Sequence, residues 1–367
     1  MWNRFEQVRG ALETQYRHVK PEDGLESSEL ERKIQAYYRE NRERPLILVR
    51  AEMFGILMRE GRIAIVPEDW FADYVEGGGL LSRIRGMTGE EVRRTMPAEI
   101  MDRVREYTES GTFVAQLDLS HTTPDWESVL SFGPAGLRDR ALQALGSARD
   151  EEQRNFYTAV ADVFESVRCL IRRFAALSEK RGAVQMTASL RAIAERPPET
   201  LPEALQLALI YDTCQEIEGE PLRSQGIFDR LFFRFYRHDL EHGILTREQA
   251  KELLKFFWTK FYAQMHPNGK NFCFGGLAGP GIDGCNELTE LCFEIHRELN
   301  RINPKLSFRV HRNTPERRLR QVAECIQTGR TAVVFSNDDV AFDMLRRRGK
   351  TERDCYNYTL IGCYEPA

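Results

Sequence analysis

Cys363, Glu365 and Pro366 stand together in "LIGCYEPA", the last eight residues of a 367-residue sequence. In extended backbone side chains alternate, which puts Cys363 and Glu365 on one side and Tyr364 on the other. Two rises of ~3.3 Å separate their Cα atoms by about 7 Å, a gap suited to a small reacting molecule. Pro366 biases Glu365 toward extended backbone, and Gly362 lets the chain enter a tight loop.

Three chemistries can use a thiol and a carboxylate so placed. Nucleophilic catalysis needs a base, because a free cysteine with a pKa of ~8.5 is only slightly ionised near neutrality. The loop holds no histidine, although His121 or His311 could fold against it. Metal ligation by one thiolate and one carboxylate is weakly specified. Radical chemistry uses the protonated thiol as a hydrogen-atom donor and the carboxylate as a base. A thiol beside a carboxylate, with no cation in the loop, stays protonated. The local electrostatics favour this third option over the first, while a buried structural cysteine is the competing reading.

The elements that must position these residues fall into two textures. Up to about residue 265 the pattern is mostly helical. Phe156, Val160, Val163, Phe164, Val167, Leu170, Ile171 and Phe174 form a stripe of three- and four-residue spacing within Asp150 to Gly182. "ETLPEALQLALIYDTCQEIEG" and "TREQAKELLKFFWTKFYAQ" each open on a threonine that can cap a helix. From about residue 270, "NFCFGG", "KLSFRV", "TAVVFS" and "YTLIGC" alternate with helical segments. This is a βαβ pattern of a parallel sheet buried on both faces. The carboxyl ends of such strands gather functional residues. No linker separates the textures, so residues 1–367 read as one α/β domain.

Composition narrows the partners. The net charge is −4, from 52 basic and 56 acidic residues, with neither sign concentrated enough for nucleic acid or membrane to be the main partner. The N-terminus lacks a signal-peptide core and no stretch is long and apolar enough to span a bilayer, so a cytoplasmic protein is expected. Eight cysteines without CxxC pairs predict reduced core thiols rather than a disulfide framework.

Several segments, in order, resemble the pyruvate formate lyase-type glycyl radical enzymes, in the branch with a Gly-Cys-x-Glu-Pro loop. "ERDCYNYTLIGCYEP" is similar to that family's Arg-Asp-Tyr, apolar strand and cysteine loop. "SHTTPDWESVLSFGPAGL" is similar to its Gly-His-x-x-Pro-Asp-Tyr stretch, and "LPEALQLALI", "GCNELTELC", "LSFRVHRNTP" and "FSNDDV" to further elements, over about residues 45 to 367. The resemblance implies the N-terminal half of a ten-stranded α/β barrel built from two five-stranded parallel halves and wrapped by helices. It implies that Cys363 forms the thiyl radical and Glu365 is the base. By motif position, His121 and Phe113 line the substrate pocket.

Departures from the family pattern shape the expectation. Tyr364 stands where formate acetyltransferases carry a second cysteine, which argues against carbon–carbon cleavage. The Gly-Arg-Phe-Asp-Gln element reads "GIFDR", and Pro221-Leu222 replaces the His-Ser pair of glycerol dehydratases. The Arg-Val-x-Gly-Tyr motif that carries the radical glycine does not occur in residues 1–367. The expectation is an incomplete catalytic domain without its glycyl radical domain, inactive by itself. The full enzyme is a lyase performing radical dehydration or C–N/C–S cleavage on a small polar, hydroxyl-bearing substrate. No cofactor is bound directly; a radical S-adenosylmethionine activase installs the glycyl radical on a C-terminal half. A homodimer is expected. The alternatives are a formate acetyltransferase-like lyase, a silent half of a split enzyme, or a thiol hydrolase.

Other clusters read more plainly. Cys285, Cys292 and His296 share a helix face but fit a core stripe, and no metal site is expected. "GGLAGPGIDG" joins a strand to a helix without the G-x-G-x-x-G order of a dinucleotide site. Asp338 and Asp339 can cap the helix they open, and Arg309 on a buried strand calls for a carboxylate partner.

Overall fold

The computed structural model describes residues 2–77, 80, 96–112, 123–218, 224–264, 270–329, 333–362 and 364–367. The N-terminal part is helical, as the stripes predict. Glu151–Lys180 is one helix whose N-cap Asp150 accepts from the Gln153 N–H. Capping boxes Thr200/Glu203 and Thr246/Gln249 open the helices Leu201–Ile217 and Arg247–Ala263. Each box satisfies N–H groups that the first helical turn leaves without a partner. Leu57, Leu170, Ile171, Phe174, Leu190 and Ile210 form an apolar cluster between these helices. Two short strands, β1 (Ile63–Ala64) and β2 (Tyr74–Val75), pair beside it.

The parallel sheet contains β3 (Ser224–Ile227), β4 (Asn271–Gly275), β7 (Lys305–Val310) and β8 (Val333–Asn337), in the order β3-β4-β7-β8 among the described residues. Helices Glu287–Leu299 and Glu316–Gln327 make the crossovers. The pattern therefore predicts three of the four strands. β3 is the addition: "SQGI" lacks a β-branched run, and its pairing to β4 creates the strand.

Sheet register divides the side chains into two sets. Phe272, Phe274, Leu306 and Phe308 face the helices and pack with Phe256, Phe257, Phe261 and Phe293 in the main core. Burying each such phenylalanine contributes about 1.5–3 kcal/mol. Asn271, Cys273, Gly275, Ser307 and Arg309 point to the opposite, interior face. This face is largely polar yet buried.

The fourth predicted strand takes a different place. Leu360–Ile361 (β9) pairs antiparallel with Glu365–Pro366 (β10) and does not join the parallel sheet. An apolar pair satisfies either arrangement, so its hydrophobicity could not decide between them. Leu277–Gly279 (β5) and Ile282–Asp283 (β6) form another small hairpin, from the glycine-rich segment.

Candidate active site

The hairpin that brackets Cys363 has only two ladder pairs, Glu365 with Ile361 and Pro366 with Leu360. Reciprocal backbone bonds between Thr359 and Ala367, both 2.9 Å, extend it by one step. At the tip the Tyr364 N–H donates to the Ile361 carbonyl at 2.8 Å, and Gly362 and Tyr364 take positive φ of 53° and 83°. The segment is a turn, which corrects the continuous extended run inferred from alternation. Period-two alternation holds only while φ stays in the β region, so it does not relate positions 363 and 365.

The hairpin lies against the interior face of the sheet. Tyr358 contacts Arg309 near the carboxyl end of β7, and the Cys273 thiol of β4 lies beside Thr359 and the Leu360 backbone. Ser224 of β3 and Thr359 place their hydroxyls 3.0 Å apart, and the Tyr364 ring lies 5.8 Å from the Lys305 ammonium at the amino end of β7. Gly362 and Tyr364, which flank Cys363 in sequence, follow the carboxyl end of β9 at the tip of its hairpin.

The stem is held by two arginines. Arg309, fully buried, donates to both Asp338 oxygens at 2.9 and 3.0 Å and to the Tyr356 and Tyr358 carbonyls at 3.0 and 2.9 Å. The Tyr358 ring lies 4.0 Å under the guanidinium, and its hydroxyl donates to Asp338 at 2.7 Å. Burial pushes the Tyr358 phenol up, and neighbouring Asp338 adds to this. Arg230 donates to the carbonyls of Tyr356, Gly275 and Leu277. Burial, reinforced by the charge of Arg309, lowers the Arg230 pKa. Arg309 has the carboxylate its burial demands. Asp338 is that partner rather than a cap; Asn337 caps the helix Asp338–Arg347 by accepting from the Asp339 N–H.

The glycine-rich segment makes room for these groups. A Cβ at Gly276 would lie 2.6 Å from Arg309 Nε and 2.7 Å from Asp338 Oδ2, and one at Gly284 would lie 2.8 Å from Arg230 Nη2. Gly276 and Gly284 therefore allow the close approach of the two arginines. Arg230 and Tyr358 were not singled out by motif reasoning. Arg230 sits in "GIFDR", where departure from the relatives' glutamine was the available signal.

A cavity of about 400 Å³ opens beside the stem, lined by Trp126, Gly226, Arg230, Arg234, Asn357 and Thr359 among others. Its size falls within the range of small-ligand pockets. Cys363, His121 and Phe113 lie outside the described residues. Glu365 is exposed on β10. His311, raised as a possible base, places Nε2 3.2 Å from Asp283. Cys292 and His296 are core residues, and among the described residues no three His, Cys, Asp or Glu side chains group to hold a metal. The seven described cysteines are free, and no helix of the described residues is long and apolar enough to cross a membrane.

Isethionate sulfite-lyase of Oleidesulfovibrio alaskensis is 28% identical over 290 residues, covering 70% of this chain and 35% of that protein. (2S)-3-Sulfopropanediol dehydratase of Klebsiella oxytoca is 28% identical over 277 residues, covering 67% and 33%. The structure of a glycyl radical enzyme from Archaeoglobus fulgidus superposes with a TM-score of 0.80 at 21% identity, covering all of this chain and 55% of that one. The chain thus spans about a third of the curated relatives and about half of the solved chain. The helix-rich α/β architecture, with its parallel sheet and interior hairpin, is the corresponding part of that fold. The family model described as pyruvate formate lyase-like matches residues 82–367, and the chain belongs to that family.

Proposed function

We propose that this chain supplies the cysteine hairpin of a glycyl radical lyase acting by elimination on a small polar, hydroxyl-bearing substrate. The observation that carries the reading is the hairpin of β9 and β10 around the Gly-Cys-Tyr-Glu-Pro sequence, with buried β9 packed on the interior face of a parallel sheet. A reactive sulfur radical needs a site that limits side reactions with solvent.

In this reading the Cys363 thiyl takes a hydrogen atom from a substrate carbon, forming S–H and a carbon radical. Glu365 accepts a proton from the hydroxyl on that carbon. The leaving group departs from the adjacent carbon with its bonding electron pair, and the product radical takes a hydrogen atom back from Cys363. His121 and Phe113 border the substrate. The radical that first oxidises Cys363 belongs to a glycine outside residues 1–367, installed by an S-adenosylmethionine and iron–sulfur activating enzyme. Tyr364 in place of a second cysteine weighs against carbon–carbon cleavage.

The test uses the complete enzyme containing this chain, activated anaerobically. It is offered isethionate, (2S)-3-sulfopropanediol, 1,2-propanediol, glycerol and trans-4-hydroxy-L-proline, the compounds named for relatives. Elimination from at least one, lost in Cys363→Ala, supports the reading; a fully activated enzyme that transforms none of them counts against it.

A further inference from the structure

We infer that Arg309 and Arg230 are positioning residues for the cysteine hairpin, setting its height on the interior face through the carbonyls of its stem. The hairpin cannot hold itself: its named strands form two ladder pairs, and an isolated two-stranded hairpin is marginal in water. Its position must come from outside contacts, and the densest of these lie at residues 356–358. Tyr358 is gripped at three points, its carbonyl and ring by Arg309 and its hydroxyl by Asp338. Arg309 shares one guanidinium between a carboxylate of the sheet side and two carbonyls of the stem. Arg230 ties the same Tyr356 carbonyl to Gly275 and Leu277 at the carboxyl end of β4.

The geometry requires arginine at both places. A guanidinium presents donors in a planar fork, whereas a lysine ammonium is a compact point charge that cannot keep all four acceptors of Arg309. Asp338 completes the frame by accepting from the Leu277 N–H at 2.6 Å, so the glycine hairpin, the helix Asp338–Arg347 and the stem close around one ion pair. Losing a stem contact shifts the tip because the hairpin is short and moves as a unit. A misplacement of about 1 Å at a reacting group can cost on the order of a hundredfold in rate.

The test compares Arg309→Lys and Arg230→Lys with the unsubstituted protein by amide hydrogen exchange and by turnover. Exchange of peptides covering 358–367 is expected to rise by about tenfold or more, while peptides from Glu151–Lys180 and Asn271–Gly275 keep their protection. A uniform rise in every peptide, or no rise in 358–367, overturns the inference. Arg230→Lys keeps the test decisive should Arg309→Lys fail to fold, since Arg230 is only partly buried.

The turnover arm rests on the proposed cysteine chemistry. In the activated enzyme, kcat is expected to fall by roughly tenfold to a hundredfold with KM unchanged and the glycyl radical signal intact. Full kcat in a variant whose hairpin exchanges faster overturns the positioning role. Activity retained by Cys363→Ala overturns the cysteine reading instead, and leaves the exchange result standing.

Discussion

Ser224 and Thr359, separated by 135 residues, bring their hydroxyls to 3.0 Å in a fully buried contact between β3 and the stem of the cysteine hairpin. Ser224 also accepts from the Gly226 N–H at 3.1 Å. Thr359→Val keeps the shape and removes the hydroxyl. It should cost about 1–3 kcal/mol, because a buried polar group left without a partner loses its solvation uncompensated. Urea unfolding checks this, and a double-mutant cycle with Ser224→Ala should show coupling above roughly 0.5 kcal/mol. Additive losses would show that the two hydroxyls do not act together.

Gly276 and Gly182 share almost the same backbone, with φ of 71° in each, but differ in surroundings. Nothing lies within 4 Å of a Cβ at Gly182, whereas at Gly276 it meets Arg309 and Asp338. Alanine at Gly182 should cost about 1 kcal/mol from backbone strain alone. Gly276→Ala should cost more by about 2 kcal/mol or above, as it also forces the ion pair apart. Equal changes in unfolding free energy would contradict the packing account of the glycine-rich segment.

Burial lowers the His296 imidazole from 6.5 to about 4, so the folded chain holds it neutral. Its contribution to stability is therefore complete above pH 6.5, declines as pH falls below that value and is lost below about 4. The whole span is worth roughly 3 kcal/mol. Asp212 works the other way: burial raises its carboxyl, so its part falls as pH rises from the unfolded value. The difference between unsubstituted protein and His296→Leu isolates the histidine. Between pH 7 and pH 4.5 the variant should lose less stability than the unsubstituted protein, by roughly 2 kcal/mol, and an unchanged pH slope would contradict the assignment.

Much of this arrangement is legible in the amino-acid order, and the remainder fails for definable reasons. Asp150, Thr200 and Thr246 announce helices because capping is local chemistry. The partner that Arg309 requires follows from burial alone, although its identity as Asp338 depends on β7 and β8 lying side by side. Leu360 and Ile361 read as a strand but could not reveal an antiparallel hairpin, since direction is set by the turn at Gly362 and Tyr364. Tyr364 with φ of 83° is a conformation that residue type does not advertise. β3 was invisible because its four residues gain strand character only from β4.

In the proposed reaction Cys363 transfers the hydrogen atom and Glu365 the proton. The most direct measurement is turnover by the activated complete enzyme carrying Cys363→Ala or Glu365→Gln, with the glycyl radical followed by electron paramagnetic resonance. Cys363→Ala should give no product while its glycyl radical persists after substrate addition. Glu365→Gln should still exchange substrate hydrogen but form product slower by on the order of a hundredfold or more. Product formed by Cys363→Ala would contradict the proposed reaction.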